Sequence, residues 1–300
     1  MGVDVGLKDM LEAGAHFGHQ TRRWNPKMRP YIYGARNGIH VINLQKTFPL
    51  FKKAMEFLSS VVGHGNQVLF VGTKHQARDV IAEEAVRADM PYVTYRWLGG
   101  MLTNYATIKR SLASIDELDR MLSEGNVERL PKREVLVLEK RREKLLTNLE
   151  GIRKMDGVPK AMFIIDPARE KIAVLEAGKL GIPTVAVVDT NCDPDSIDYP
   201  IPANDDAIKS IRLFVHAAAD ACLEGREAHK QALIAGQDKA ATAEAAEGNV
   251  EVIVRGKGPR RGRKPRDGAE EAAPAAAPAA APAAAPEPAP AAETEKPKEE

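Results

Sequence analysis

Acidic residues are missing from a long stretch near the start of this sequence: between Ala13 and Met55 there is no Asp and no Glu. Cysteine is scarce as well, and Cys192 and Cys222 are too isolated for a disulfide framework or a zinc knuckle, so they read as two reduced thiols. Aromatics make up only 5% of the 300 residues, so any core must be built mainly from aliphatic side chains. No apolar run approaches the ~20 residues needed to span a bilayer. The opening MGVDVGLKDMLEAGAHFGHQ has neither the basic nor the apolar region of a signal peptide. These absences predict a cytoplasmic protein without membrane contact. Gly-x-x-x-x-Gly-Lys-Ser/Thr, Gly-x-Gly-x-x-Gly and Gly-x-Ser-x-Gly are all absent too, which removes the usual sequence basis for nucleotide binding and serine-hydrolase chemistry.

The net charge of +1 conceals three unlike segments. From Arg255 to Arg266 there are seven basic residues and no acids, and from Asp267 to Glu300 eight acids and two lysines, which leaves residues 1–254 formally neutral. Distribution rather than total is therefore the informative quantity. The 269–292 segment is almost entirely Ala, Pro and Glu, with no apolar face to bury. The expected organisation is a folded domain over 1–228, its compact body ending between Glu224 and Gly236. A mostly disordered tail follows over 229–300, with its basic tract at 255–266 and an Ala/Pro/Glu-rich end at 267–300.

Inside the body, Val68–Val71, Tyr92–Tyr95, Ala161–Ile165 and Thr184–Val188 read as short buried strands, with His40–Leu44 as a fifth. Helical segments at 46–62, 74–89, 169–180 and 205–224 alternate with them. Strand–helix alternation with continuous apolar strands predicts an α/β domain built on a doubly wound parallel five-stranded sheet. The interval between the second and third strands is too long for one crossover helix. Ile108, Leu112, Ile115, Leu118 and Leu122 recur at helical spacing, as do Val135, Leu138, Arg142, Leu145, Leu149 and Ile152. This predicts an antiparallel coiled-coil hairpin inserted over about 104–154, with an ordinary pair of packed helices as the plain alternative.

The acid-free stretch carries Arg22, Arg23, Lys27, Arg29, Arg36, Lys46, Lys52 and Lys53, interleaved with His16, His19, Trp24, Tyr31, Tyr33 and His40. Cations neutralise phosphates and planar rings stack on exposed bases, so a polyanion is the expected partner. Composition alone leaves RNA, DNA and an acidic protein open, and a solvated basic face beside buried aromatics is the plain alternative. In Arg96-Trp97-Leu98-Gly99-Gly100-Met101-Leu102-Thr103-Asn104, after a strand end, the glycines allow either a contact loop or a sharp turn with Trp97 as a core plug. Lys74, at a helix start after Phe70-Val71-Gly72-Thr73, reads as a surface cation available to a phosphate. Asp166, Asp189, Asp193, Asp195, Asp205 and Asp206 fall at or after strand ends, where they suit a divalent cation or turns and helix caps equally well.

Several of these segments resemble one family. His16-Phe17-Gly18-His19-Gln20, Trp24-Asn25-Pro26-Lys27-Met28, Gly34-Ala35-Arg36-Asn37-Gly38-Ile39-His40 and Phe70-Val71-Gly72-Thr73-Lys74 are similar to motifs of the bacterial small-subunit ribosomal protein two. So are Arg96–Asn104, Gly181-Ile182-Pro183, Val188-Asp189-Thr190-Asn191-Cys192-Asp193-Pro194 and Ile201–Ala207, in the family's order over roughly residues 7–226. The resemblance implies a flavodoxin-like three-layer sandwich with an inserted hairpin and a non-enzymatic role on the ribosome in the cytoplasm. It implies contacts with small-subunit rRNA at the head–body junction and with neighbouring ribosomal proteins, including the large mRNA-binding one, and no small-molecule substrate. Carried onto this chain, the implied rRNA contacts are Arg22, Arg23, Trp24, Lys27, Arg36, Lys74, Arg96, Asn104, Lys109 and Arg110. No cofactor is required, although the family pattern implies a structural zinc on His19, Asp189 and Asp205. The alternative from another class is a nucleotide- or metal-dependent enzyme on the same sheet, because fold alone does not fix function.

Overall fold

A computed structural model of the protein describes residues 5–123 and 131–247. Backbone contacts divide the chain into units 1–249 and 250–300, and every described residue belongs to the first. The basic tract and the Ala/Pro/Glu-rich end lie outside the described residues.

The apolar runs do form a parallel sheet. In chain order its strands are β4 (Val68–Val71), β5 (Tyr92–Val93), β6 (Ala161–Ile165), β7 (Thr184–Val188) and β8 (Tyr199–Pro202), arranged in space as β5-β4-β6-β7-β8. All four pairings are parallel. Numbered from its first strand, this order is 2-1-3-4-5, that of the flavodoxin-like sandwich. Every residue of β4, β6 and β7 is buried, as expected of strands covered on both faces. Successive side chains point to opposite faces, so each strand feeds two cores. Val68, Phe70, Phe163, Ile165, Val185 and Val187 pack under α2 (Leu44–Gly63), α3 (His75–Ala88) and α7 (Ile208–Glu247). Leu69, Val71, Met162, Ile164, Ala186 and Val188 pack on the other side under α6 (Lys171–Leu180) and the base of the inserted helices.

The fifth strand is not the expected one. His40–Leu44 contributes β3 (Ile39–Ile42) to a separate antiparallel sheet with β1 (Phe17–Gln20) and β2 (Ile32–Arg36), after a short helix α1 (Leu7–Glu12). Its place in the parallel sheet belongs to β8, whose Pro200 and Pro202 hide it from a propensity reading. Proline lacks an amide donor and is tolerated at a sheet edge, where one side of the strand has no ladder to complete. β2 turns into β3 through Asn37 (φ 52°) and Gly38 (φ 73°), the pair of left-handed residues that a tight hairpin requires. The helical expectations hold to within a few residues, except that α7 runs on to Glu247.

The inserted helices are α4 (Tyr105–Ser123) and α5 (Lys132–Leu149); the link over 124–130 lies outside the described residues. Ile108, Leu112 and Ile115 are buried against Leu149 and Ile152 in the second core, and the Tyr105 hydroxyl donates to the Met155 carbonyl at 2.7 Å. Farther out, the seam becomes half-buried at Val135, Leu138 and Leu145. Its charged member, Arg142, is neutralised by Asp119 of α4, which also receives a hydrogen bond from Arg153 at 2.9 Å.

Candidate nucleic-acid interface and a buried charged cluster

The N-terminal antiparallel sheet is seated on the loop that follows β7. The amide of His19 donates to the Thr190 hydroxyl at 3.0 Å, and that of Asn25 to the Thr190 carbonyl at 2.7 Å. Gly18 makes this approach possible: a Cβ there would stand 2.7 Å from the Thr190 side chain and 3.2 Å from an Asp189 oxygen. Seating leaves Arg22, Arg23 and Arg36 exposed, and none of them forms an ion pair among the described residues. The amide of Thr21 donates to the Gly38 carbonyl at 2.9 Å, and Arg36 pairs with Ile39 across the hairpin, so the three arginines share one end of the sheet. Trp24 is 37% exposed, with its ring centroid 5.2 Å from that of His40. Lys27 is half-exposed but already bridges Asp193 (2.8 Å) and Asp195 (2.9 Å), whose carboxylates raise its pKa.

Lys74 is not the surface cation expected from its position. It is buried, with its ammonium 2.8 Å from Asp205, 2.6 Å from Asp206 and 3.8 Å from Asp166. Burial works against its charge, but these carboxylates outweigh it and hold its pKa above the usual lysine value. Asp205 is pushed up to about 7 by burial, together with the charges of Asp189 and Asp166, despite its contact with Lys74. Its Oδ2 is buried and has no hydrogen-bond partner. His19 joins the same cluster. Its Nδ1 lies 2.8 Å from Asp189 Oδ2 and its Nε2 3.5 Å from Asp206. The hydrogen bond that His19 donates to Asp189 and the nearby carboxylates raise the histidine pKa against the effect of burial. The structure thus brings together the three implied zinc ligands, His19, Asp189 and Asp205, and adds Asp206 to them. Cys192 lies near Asp166 and Asp205, its thiol pushed up to about 12 by burial. Cys222 is likewise buried and free, at about 12.

Two glutamates of the α6 region fill the loops where an α/β sheet of this order would hold a ligand. Glu170 accepts from the Thr73 amide at 3.1 Å and, through the same oxygen, from the Thr73 hydroxyl, closing the turn after β4. Glu176 fills the loop after β5. It accepts from the Trp97 indole (3.1 Å), the amides of Gly100 (2.7 Å), Leu102 (3.0 Å) and Thr103 (3.1 Å), and the Thr103 hydroxyl (3.1 Å). Burial alone would raise the Glu176 pKa; these donors hold it below the ordinary value. Trp97 is therefore the core plug of its loop, 6% exposed, while Arg96 and Asn104 on either side are exposed. Lys109 and Arg110 are exposed one turn into α4. Met28, Tyr31 and Ile32 of the N-terminal segment pack on the same core as Trp97, Leu102 and Ile108, which puts both basic segments on one side of the parallel sheet. Neither glutamate was singled out by the sequence, because a buried acid at the start of an amphipathic helix or within it looks like any solvated one.

These features define a flavodoxin-like scaffold whose strand-end loops are closed by its own carboxylates and whose exposed arginines cluster on an added antiparallel sheet. Residues 10–225 match the family model described as Ribosomal protein S2. The chain is 58% identical over 239 residues (80% of this chain, 87% of the relative) to "Small ribosomal subunit protein uS2" of Syntrophobacter fumaroxidans. It is 54% identical over 256 residues (85% and 92%) to the protein of that name in Sorangium cellulosum. In Maridesulfovibrio salexigens the identity is 55% over 240 residues (80% and 90%). The chain belongs to the ribosomal protein S2 family, a structural rather than enzymatic family of the small ribosomal subunit, and is accordingly ribosome-associated. No helix among the described residues is long and apolar enough to cross a membrane.

Proposed function

We propose that the chain binds small-subunit rRNA directly through two basic segments, Arg22, Arg23, Trp24, Lys27 and Arg36 on the N-terminal sheet and Arg96, Asn104, Lys109 and Arg110 around the start of α4. The observation that carries this reading is the exposed trio Arg22, Arg23 and Arg36, left without carboxylate partners among the described residues on a rigidly seated sheet. Lys74 is left out of the contact set because it is buried and its charge is spent on aspartates, whereas Lys27 stays half-exposed beside Asp193 and Asp195. The family resemblance supports a position at the head–body junction and a docking role for the large mRNA-binding ribosomal protein. The closure of both strand-end loops by Glu170 and Glu176 supports a non-enzymatic role with no small-molecule substrate.

Sedimentation through sucrose gradients tests the RNA reading. The protein should travel with small subunits and be released by high salt. The Arg22→Glu/Arg23→Glu variant should bind less tightly, with the slope of log affinity against log salt reduced by about two for two lost phosphate contacts. An unchanged slope would overturn the assignment of these arginines.

A second reading concerns the buried cluster. The unpartnered Oδ2 of Asp205 beside His19 and Asp206 is a donor set that fits a structural divalent ion, zinc included. His19, Asp205 and Asp206 would hold the ion, while Asp189, bonded to the other ring nitrogen, would orient the histidine. Elemental analysis of the purified full chain should then find about one zinc per chain. His19→Ala should lose that metal, and a metal-free wild-type chain of unchanged melting temperature after chelation would exclude the ion.

A further inference from the structure

A cleft of about 630 Å³ opens between the turn after β5 and the outward face of α5. One wall is Tyr95, Arg96 and Leu98; the other is Lys140, Glu143, Lys144, Thr147 and Asn148, with Ile172 of α6 between them. Lys140, Lys144 and Asn148 are spaced four apart, as are Glu143 and Thr147, so they form one stripe of the helix, turned away from the seam of Leu138, Arg142, Leu145 and Leu149. We propose that this cleft receives one unstacked nucleotide of single-stranded rRNA. The phosphate lies among Arg96, Lys140 and Lys144, and the base lies against the open face of the Tyr95 ring. This deepens the RNA-binding reading above and rests on it.

Four observations carry the assignment. The first is charge: three cations face the cleft with one acid, Glu143, and none of the three forms an ion pair among the described residues. Arg142 in the seam and Arg153 beyond the end of α5 are, by contrast, both paired with Asp119, and Arg153 with Asp116 as well. The second is stacking. Tyr95 is 49% exposed, and the guanidinium of Arg78 lies 4.9 Å from its ring centroid, so a base on the free face would extend an existing cation–aromatic stack. The third is edge recognition. The Asn148 amide donates to the Lys144 carbonyl at 2.8 Å, while its oxygen takes part in no hydrogen bond among the described residues and can accept from a base amino group. The fourth is rigidity: the turn bearing Leu98 is held by the five hydrogen bonds to Glu176, so the site exists before its ligand arrives. The volume lies within the range of about 300–1,000 Å³ typical of small-ligand sites.

The test uses intact small subunits carrying the full chain, irradiated with short-wavelength ultraviolet light and digested for mass spectrometry of peptide–nucleotide adducts. Adducts are expected on the Tyr95–Arg96 peptide or on the peptide spanning Lys140–Asn148. Adducts confined to the 22–36 region would overturn the cleft and leave the RNA-binding reading standing; no adduct anywhere on the chain would overturn both. Carbodiimide coupling of Lys140 or Lys144 to carboxylates of a neighbouring protein would show an acidic peptide in the cleft, and would also overturn the proposal. In RNA-binding titrations Tyr95→Ala should weaken affinity on the order of ten-fold while Tyr95→Phe keeps it. Lys140→Gln/Lys144→Gln should lower the salt slope by about one, for the one phosphate they hold. These side chains are exposed, so unchanged melting temperatures are expected alongside the loss, and full affinity in both Tyr95→Ala and the lysine double variant would overturn the assignment.

Discussion

Replacing Lys74 by methionine is expected to cost the folded state about 3–5 kcal/mol, the usual penalty for stripping a buried charge of its partner. Three carboxylates depend on that one ammonium: Asp205 at 2.8 Å, Asp206 at 2.6 Å and Asp166 at 3.8 Å, with Asp205 fully buried. Without it, Asp205, Asp166 and Asp189 repel one another in a medium that solvates them poorly. Urea denaturation of the full chain at neutral pH, with chelator present throughout, measures the loss. Adding Asp205→Asn to the Lys74→Met variant removes one of the stranded charges and should restore more than half of it. A single variant as stable as the wild type would mean that the cluster is hydrated and that the lysine contributes nothing net.

Glu176→Ala should be nearly as damaging, at about 3 kcal/mol, because it leaves the Trp97 indole and three loop amides without their acceptor. Glu176→Gln keeps one acceptor oxygen but turns an amino group toward donors, and should lose about half as much. The pH dependence has a definite sign. The folded-state pKa of Glu176 lies below the ordinary carboxylate value, so its stabilisation is fully present above that value and is lost as pH falls through the lowered one. The gap between wild type and Glu176→Ala should therefore narrow in acid. Chemical denaturation at neutral and acidic pH checks both points; a gap that widens in acid would refute the role given to the carboxylate.

The central strands β4, β6 and β7 were legible because they are short, continuously apolar and punctuated. The two inserted helices were legible because their apolar residues recur at helical spacing, and the charged Arg142 among them is answered by Asp119. What stayed hidden was hidden for physical reasons. Pro200 and Pro202 disguise β8, since proline in a strand is acceptable only at an edge and edge status is a property of topology. The N-terminal sheet carried a local signal in Asn37-Gly38, which fixes a hairpin turn, but its strands are short, half-exposed and unlike a buried run. The basic surface was foreseen from composition. That Lys74 would turn inward was not, because its partners Asp166, Asp205 and Asp206 lie far along the chain and meet it only where the strand ends converge. The grouping of His19 with Asp189 and Asp205 came from motif resemblance rather than from spacing, and Asp206 became visible only in three dimensions.

The seating of the N-terminal sheet also sets an order in time. Its anchor for His19 is Thr190, 171 residues downstream, and Ala15 is likewise held by the amide of Asn204. A chain made from its N-terminus therefore exposes Arg22, Arg23 and Arg36 early, and nothing can fix them until β7 and the segment after it have been made and folded. This early cationic segment is thus among the last parts of the sheet's surroundings to acquire its final geometry. Its charges are available to attract a polyanion at long range well before its shape can select one.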